Sequence, residues 1–266
     1  DTATSTGYAS HNTGVGTVVL HQNTTGYSNT GIGYASLEFN TTGANNTANG
    51  FEALLHNKTG NDNSATGFAT LYYNTTGVNN TANGYEALYR NTTGNYNTAT
   101  GYTALFSNTT ASYNTADGYM ALYKDTIGTD NTATGFQSLY SNTTGNNNTA
   151  IGYGALSQNT IGNNNTAEGY LAGKYIANGS PADTGRSSSI FLCTNVKSLT
   201  AADNNEIVIG YNATGAGSNS VVLGNPSITK TLLQGNVLIG KTSQTNASYK
   251  LDVNGDIRAN KVVVNT

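Results

Sequence analysis

Few side chains in this sequence could do chemistry, and their spacing does not bring them to one centre. The imidazoles are His11, His21 and His56, in separate stretches with neither paired cysteines nor an H-E-x-x-H spacing, so each reads as a surface residue rather than a metal ligand. Asp252, Asn254 and Asp256 have the first, third and fifth spacing of an oxygen-ligand loop. The glycine there falls at the wrong place and no bidentate acid follows, so calcium is not expected. Cys193 has no second cysteine to pair with and reads as a small buried hydrophobe. A Walker A loop, a nucleophile elbow and a column of paired carboxylates are absent from a sequence only 9% charged. The expectation is a non-enzymatic protein with no catalytic residue, no metal and no cofactor.

The elements that position every residue come from a repeat, and the period is 17. Glycine falls at Gly16, Gly33, Gly50, Gly67, Gly84, Gly101, Gly118, Gly135, Gly152 and Gly169. An asparagine stands four residues before each, as at Asn46, Asn63, Asn80 and Asn97. The unit reads N-T-A-x-G-[YF]-x-A-L-x-x-N-T-T-G-x-x, as in residues 80–96. Its composition follows: 40 Asn, 43 Thr and 32 Gly in 266 residues, no Trp, and a 36% hydrophobic share drawn largely from Ala and Tyr. Such a chain lacks the material for a thick aliphatic core, yet it is too weakly charged and too rich in Tyr for disorder.

Seventeen residues are too few for a helical hairpin repeat, and Thr, Asn and Gly are poor helix formers. The expected architecture is all-β: a parallel β-solenoid of 17-residue coils with two short strands and two turns each. Stacking coils at about 4.8 Å turns equivalent residues into columns. Gly50, Gly67, Gly84 and Gly101 supply corner positions with positive φ or close backbone approach. Asn46, Asn63, Asn80 and Asn97 form an amide ladder. The alanines and the leucines Leu54, Leu71, Leu88 and Leu105 point inward.

One leucine and two alanines per coil make a thin core against the ordering entropy of 17 residues. The leucine column, or the aromatic column that includes Phe51, Phe68, Tyr85, Tyr102, Tyr119 and Phe136, should therefore be buried against other copies of the chain. A closed homotrimer meets that need for every coil at once. The N-x-[ST] sequons at Asn23, Asn40, Asn57, Asn74, Asn91, Asn108 and Asn142 recur once per coil and would permit a row of glycans.

Four segments result: 1–173, a solenoid of ten repeats; 174–189, a loop or excursion; 190–240, a β-rich stretch with apolar strands 14–17 residues apart; and 241–266, a C-terminal segment in which Asn254-Gly255 signals a hairpin. A net charge of −3, with only Lys58, Arg90 and Lys124 basic before residue 174, removes the basis for nucleic-acid binding. No apolar run is long enough to span a bilayer. The chain opens at Asp1 without a visible signal peptide and reads as a mature product or an excised piece.

Residues 204–224 (NNEIVIGYNATGAGSNSVVLG) and 146–169 (NNNTAIGYGALSQNTIGNNNTAEG) resemble the head repeats of trimeric autotransporter adhesins of the YadA type. Residues 235–240 and 249–257 are similar to the segment that often precedes a trimerisation or chaperone domain in bacterial and phage tail-fibre proteins. The resemblance implies a left-handed β-roll trimer, although the head repeat is usually a few residues shorter than the unit here. The expected function is a structural fibre or adhesin at the cell surface or on a virion-like particle. The alternatives are a receptor-binding tail fibre and a self-assembling extracellular filament. Its expected partners are copies of itself, as a homotrimer or an end-to-end polymer, and a surface ligand the residues do not identify.

Overall fold

The computed structural model describes residues 10–178, 185–232, 237–239 and 251–253. The chain divides into two units, residues 1–225 and 226–266.

The first unit is a parallel β-solenoid. Ten three-residue strands, from Thr13–Val15 to Thr166–Glu168, are followed by Ile190–Leu192, Glu206–Ile209 and Ser220–Leu223. All thirteen lie in one sheet in strict chain order. Every pairing is parallel, and each residue meets its own equivalent one unit on: Thr47 opposite Ser64, Ala48 opposite Ala65. No helix occurs among the described residues.

Each coil holds one strand, not the two expected. Only the Thr-Ala-x segment is extended, and beyond it φ repeatedly changes sign: Gly84 (143°), Glu86 (51°) and Leu88 (52°) are positive, with Tyr96 (56°) closing the coil. This zigzag sends successive amides in opposite directions along the stack. Glu86 donates back to the Phe68 carbonyl (2.9 Å), whereas Leu88 donates forward to Ala104 (3.0 Å) and Arg90 to Phe106 (3.1 Å). The backbone is satisfied from both sides without a second strand.

A leucine in the left-handed region costs about 1–2 kcal/mol. The return is position: Leu54, Leu71, Leu88 and Leu105 are all fully buried within the chain, together with Ala82 and Ala87 and their equivalents. The leucines therefore hold a chain's own coils and are closed to other copies. At the end of the repeats the core thickens, as Phe191 and then Val208 take the place of the strand alanine. The longer step between those strands, from Thr166 to Ile190, carries Arg186 into the interior. Its guanidinium donates to the Gly173 carbonyl and lies 4.9 Å from the Phe191 ring centroid.

In the second unit Val237–Ile239 pairs in parallel with Leu251–Val253. The expected hairpin turn at Asn254-Gly255 lies outside the described residues, as does the Asp256 of the calcium-like triplet.

Candidate functional site

The described residues build columns rather than a pocket of catalytic groups. In the first asparagine column the Asn63 backbone N–H and side-chain amide both donate to the Asn46 Oδ1, at 3.0 and 3.1 Å. The same amide donates to the Gly77 carbonyl at 2.8 Å. Asn80 and Asn97 repeat this set one and two coils later. Each is fully buried, so its polar atoms are matched inside the stack.

A second asparagine column comes from the residues that had read as glycan acceptors. Asn57 Nδ2 donates to Asn40 Oδ1 (2.8 Å) and to the Gly60 carbonyl (2.9 Å). Asn74, Asn91 and Asn108 continue the line. A glycan would have to be joined to the very nitrogen that makes these contacts, in residues with no exposed surface. From Asn40 onward the glycan row is therefore incompatible with the folded stack, Asn23 alone of the seven being half-exposed. The clue in the sequence was the fixed three-residue distance to the following glycine, which places the amide against that glycine's carbonyl.

Gly50, Gly67, Gly84 and Gly101 adopt φ between 126° and 144°. A Cβ on Gly67 would lie 2.1 Å from the Gly84 carbonyl oxygen, so both conformation and contact require glycine there. Cys193 occupies the equivalent place at φ 116°. It is exposed, contrary to the expectation of burial.

The aromatic column runs unbroken through nine rings, Tyr34, Phe51, Phe68, Tyr85, Tyr102, Tyr119, Phe136, Tyr153 and Tyr170. Successive centroids lie 4.8–5.2 Å apart with planes within 22° of parallel. All nine are 36–50% exposed. A second column, unmarked in the sequence reading, stacks Tyr72, Tyr89, Phe106, Tyr123 and Tyr140 at 5.1–5.4 Å, each ring half-buried. Burial, with Tyr73 beside it, pushes the Tyr89 phenol up to about 12.

His11 and His21 are exposed. His56 is half-buried, stacked between Phe39 (5.1 Å) and Tyr73 (5.3 Å). Burial and then the Lys58 charge lower its pKa, which keeps it neutral at neutral pH. Tyr73, with Lys58, Tyr89 and Arg90, lines an open cleft of ≈ 700 Å³ that His56 also borders. Among the described residues no three His, Cys, Asp or Glu side chains are grouped to hold a metal ion, and no helix is long and apolar enough to cross a membrane.

Asp125 stands where the second column otherwise has asparagine. It is fully buried, and desolvation pushes its carboxyl up to about 8, against the opposing hydrogen bonds from Asn142 and the Gly128 amide. No protein-family model matches the chain, and no curated protein is similar to it in sequence.

Proposed function

We propose that this chain is a non-enzymatic extracellular fibre or adhesin, a stiff β-solenoid spacer that associates as a homotrimer and presents a repetitive surface for attachment. The observation that carries this is the nine-ring aromatic column. At about two-fifths exposure it forms a continuous stripe of roughly 700 Å², more than a monomer's surface usually leaves open. The leucines cannot serve as the interchain core, because each chain has already closed over them. The aromatic stripe takes that role, with Phe51, Phe68, Tyr85, Tyr102, Tyr119 and Phe136 at its centre.

Stiffness follows from the amide ladders, since bending the stack opens buried hydrogen bonds on several columns together. The resemblance of residues 146–169 and 204–224 to YadA-type head repeats supports the surface role and the trimer. The test is the native mass across a dilution series. A concentration-independent mass of three chains is expected. A persistent monomer would overturn the trimer, and masses growing with concentration would replace it with an end-to-end filament.

A further inference from the structure

Charge on the repeats is segregated by position in the unit. The only basic residues before Lys174 are Lys58, Arg90 and Lys124. Arg90 and Lys124 stand just before the second asparagine column and Lys58 just after it, at the first threonine position of the N-T-T-G corner, and all three are exposed. The surface acids of the same coils, Glu52, Glu86, Asp62, Asp117 and Asp130, fall elsewhere in the unit. Glu86 lies beside Tyr85 of the outer aromatic column and its charge raises the pKa of that phenol. Glu38 shares the basic side but precedes the first cation. A chain with net charge −3 therefore carries one cationic strip, spread over two exposed positions that flank the second asparagine column.

That strip has a period. Lys58, Arg90 and Lys124 lie in alternate coils, so positive charge recurs every two interstrand spacings, about 10 Å. Two of the cations are held in place: the Arg90 guanidinium lies 5.4 Å from the Phe106 centroid and the Lys124 ammonium 5.1 Å from that of Tyr140. A cation already fixed against a ring loses less freedom when it meets an anion.

Between Lys58 and Arg90 the cleft offers two further kinds of contact. Tyr73 ends the Phe39–His56–Tyr73 stack, and Tyr89 meets it edge-on at 83°. At 42% exposure, Tyr73 presents ring surface to the cleft. Thr75 and Thr92 each donate a hydroxyl proton to a carbonyl of the next coil, at 2.9 and 2.8 Å. Their oxygen lone pairs remain able to accept from hydroxyl groups.

We propose that this face binds a linear acidic polysaccharide lying along the coil stack, with one carboxylate or sulfate in each disaccharide and its sugars over the Tyr73 cleft. A disaccharide extends about as far as two coils, so its charges fall in register with the lysines and arginine. Nucleic acid fits less well: duplex DNA carries one charge per ~1.7 Å, and cations about 10 Å apart would leave most phosphates unpaired. The proposal rests on the reading of the repeats as an adhesive surface and is independent of how many chains associate.

The test uses the full chain with hyaluronan and unsulfated chondroitin oligosaccharides, neutral dextran and a single-stranded oligonucleotide of matched length, read by calorimetry at two salt concentrations. Binding to the two acidic polysaccharides is expected, weakened by salt, without binding to dextran. Each of Lys58→Ala, Arg90→Ala and Lys124→Ala should weaken it about fivefold, and Tyr73→Ala should weaken it at unchanged charge. The pair Lys58→Thr with Thr75→Lys keeps the charge but moves one cation out of the two-coil spacing, and should weaken binding as a single deletion does. Equal affinity for the oligonucleotide, or an unaffected moved-lysine variant, would reduce the face to a general polyanion surface and overturn the proposal. Absence of polysaccharide binding would overturn it as well. Neither result alters the native mass, which separately decides the trimer, and the circular dichroism of each variant separates lost binding from lost fold.

Discussion

Asp125 follows Asn108 by one coil in the second asparagine column, and the two residues leave facing gaps in the ladder. Elsewhere the amide of each coil donates to the Oδ1 of the coil before, as Asn108 does to Asn91 at 2.6 Å. Asp125 accepts from Asn142 at 2.8 Å but has no amide to pass on. The buried Asn108 Oδ1 and the buried Asp125 Oδ2 are both left without a partner. One proton on Asp125 supplies the missing donor, and burial favours that neutral form by raising the carboxyl to about 8.

Stability should therefore fall with rising pH. A folded pKa of about 8 against roughly 3.9 unfolded means that the folded chain keeps a proton the unfolded chain has lost. The contribution is complete below the unfolded value, is lost as pH climbs toward the folded value, and changes no further above it. At ~1.4 kcal/mol per pH unit this is an effect of a few kcal/mol. Asp125→Asn restores the ladder's donor. Its melting temperature should exceed the wild-type value at pH 8, with the difference shrinking toward pH 4; parallel melting curves at all pH values would show that Asp125 carries no buried proton.

Removing an internal ladder member should cost far more than removing a neighbouring surface hydroxyl. Asn80→Ala takes the acceptor from the Asn97 backbone N–H (3.0 Å) and the donor from the Gly94 carbonyl (2.9 Å). With about 1–3 kcal/mol per stranded group, a loss of roughly 3 kcal/mol is expected in chemical denaturation. Thr93→Ala, at an exposed position in the same coil, should stay within about 0.5 kcal/mol.

The sequons offer a chemical test of the same interior. Secreted from a eukaryotic host with active N-glycosylation, folded protein should carry no glycan on Asn57, Asn74 or Asn91, whose amides are committed to the ladder. Intact mass and glycopeptide mapping measure this directly. Full occupancy on a protein with the native far-ultraviolet spectrum would contradict the buried column.

Association should depend on the aromatic stripe. Phe68→Glu combined with Tyr102→Glu places two carboxylates among rings stacked at 5.0–5.2 Å. Both residues are more than 40% exposed, so the coil itself should survive. The native mass should drop to one chain with the β spectrum retained. An unchanged oligomer would place the contact elsewhere.

Cys193 should react at once with a thiol reagent in the native state, because it is exposed. Cys193→Gly relieves a φ of 116° at a position filled by glycine in the neighbouring coils. A gain of about 1 kcal/mol is expected, measured as a rise in denaturation midpoint.

The period, parallel stacking, inward alanine and leucine, and corner glycines were legible because each imposes a residue type at a fixed interval. The second strand was misplaced because Leu88 and Glu86 lie in the left-handed region, against the preference of both residue types. Only Gly154 and Gly173, which replace such residues late in the series, hint at that backbone. The second asparagine column was hidden by its resemblance to a modification signal. The cleft at Tyr73 arises where neighbouring columns change residue type, and a consensus unit averages that change away.

The pairing of each residue with its equivalent also bears on how such a gene can evolve. Between Asn29 and Asn165 every coil repeats the first asparagine column and its backbone hydrogen bond to the coil before, together with the corner glycines save at Ala111, and the second asparagine column is interrupted only at Asp125. Unequal crossing-over between two repeats, in frame, therefore adds or deletes whole coils without creating a foreign junction. Reach would change in steps of about 4.8 Å, so isolates could vary in length while keeping one architecture. The cationic strip is the exception: gain or loss of a single coil between Lys58 and Arg90 would shift its phase, making the ligand face more sensitive to copy number than the fold that bears it.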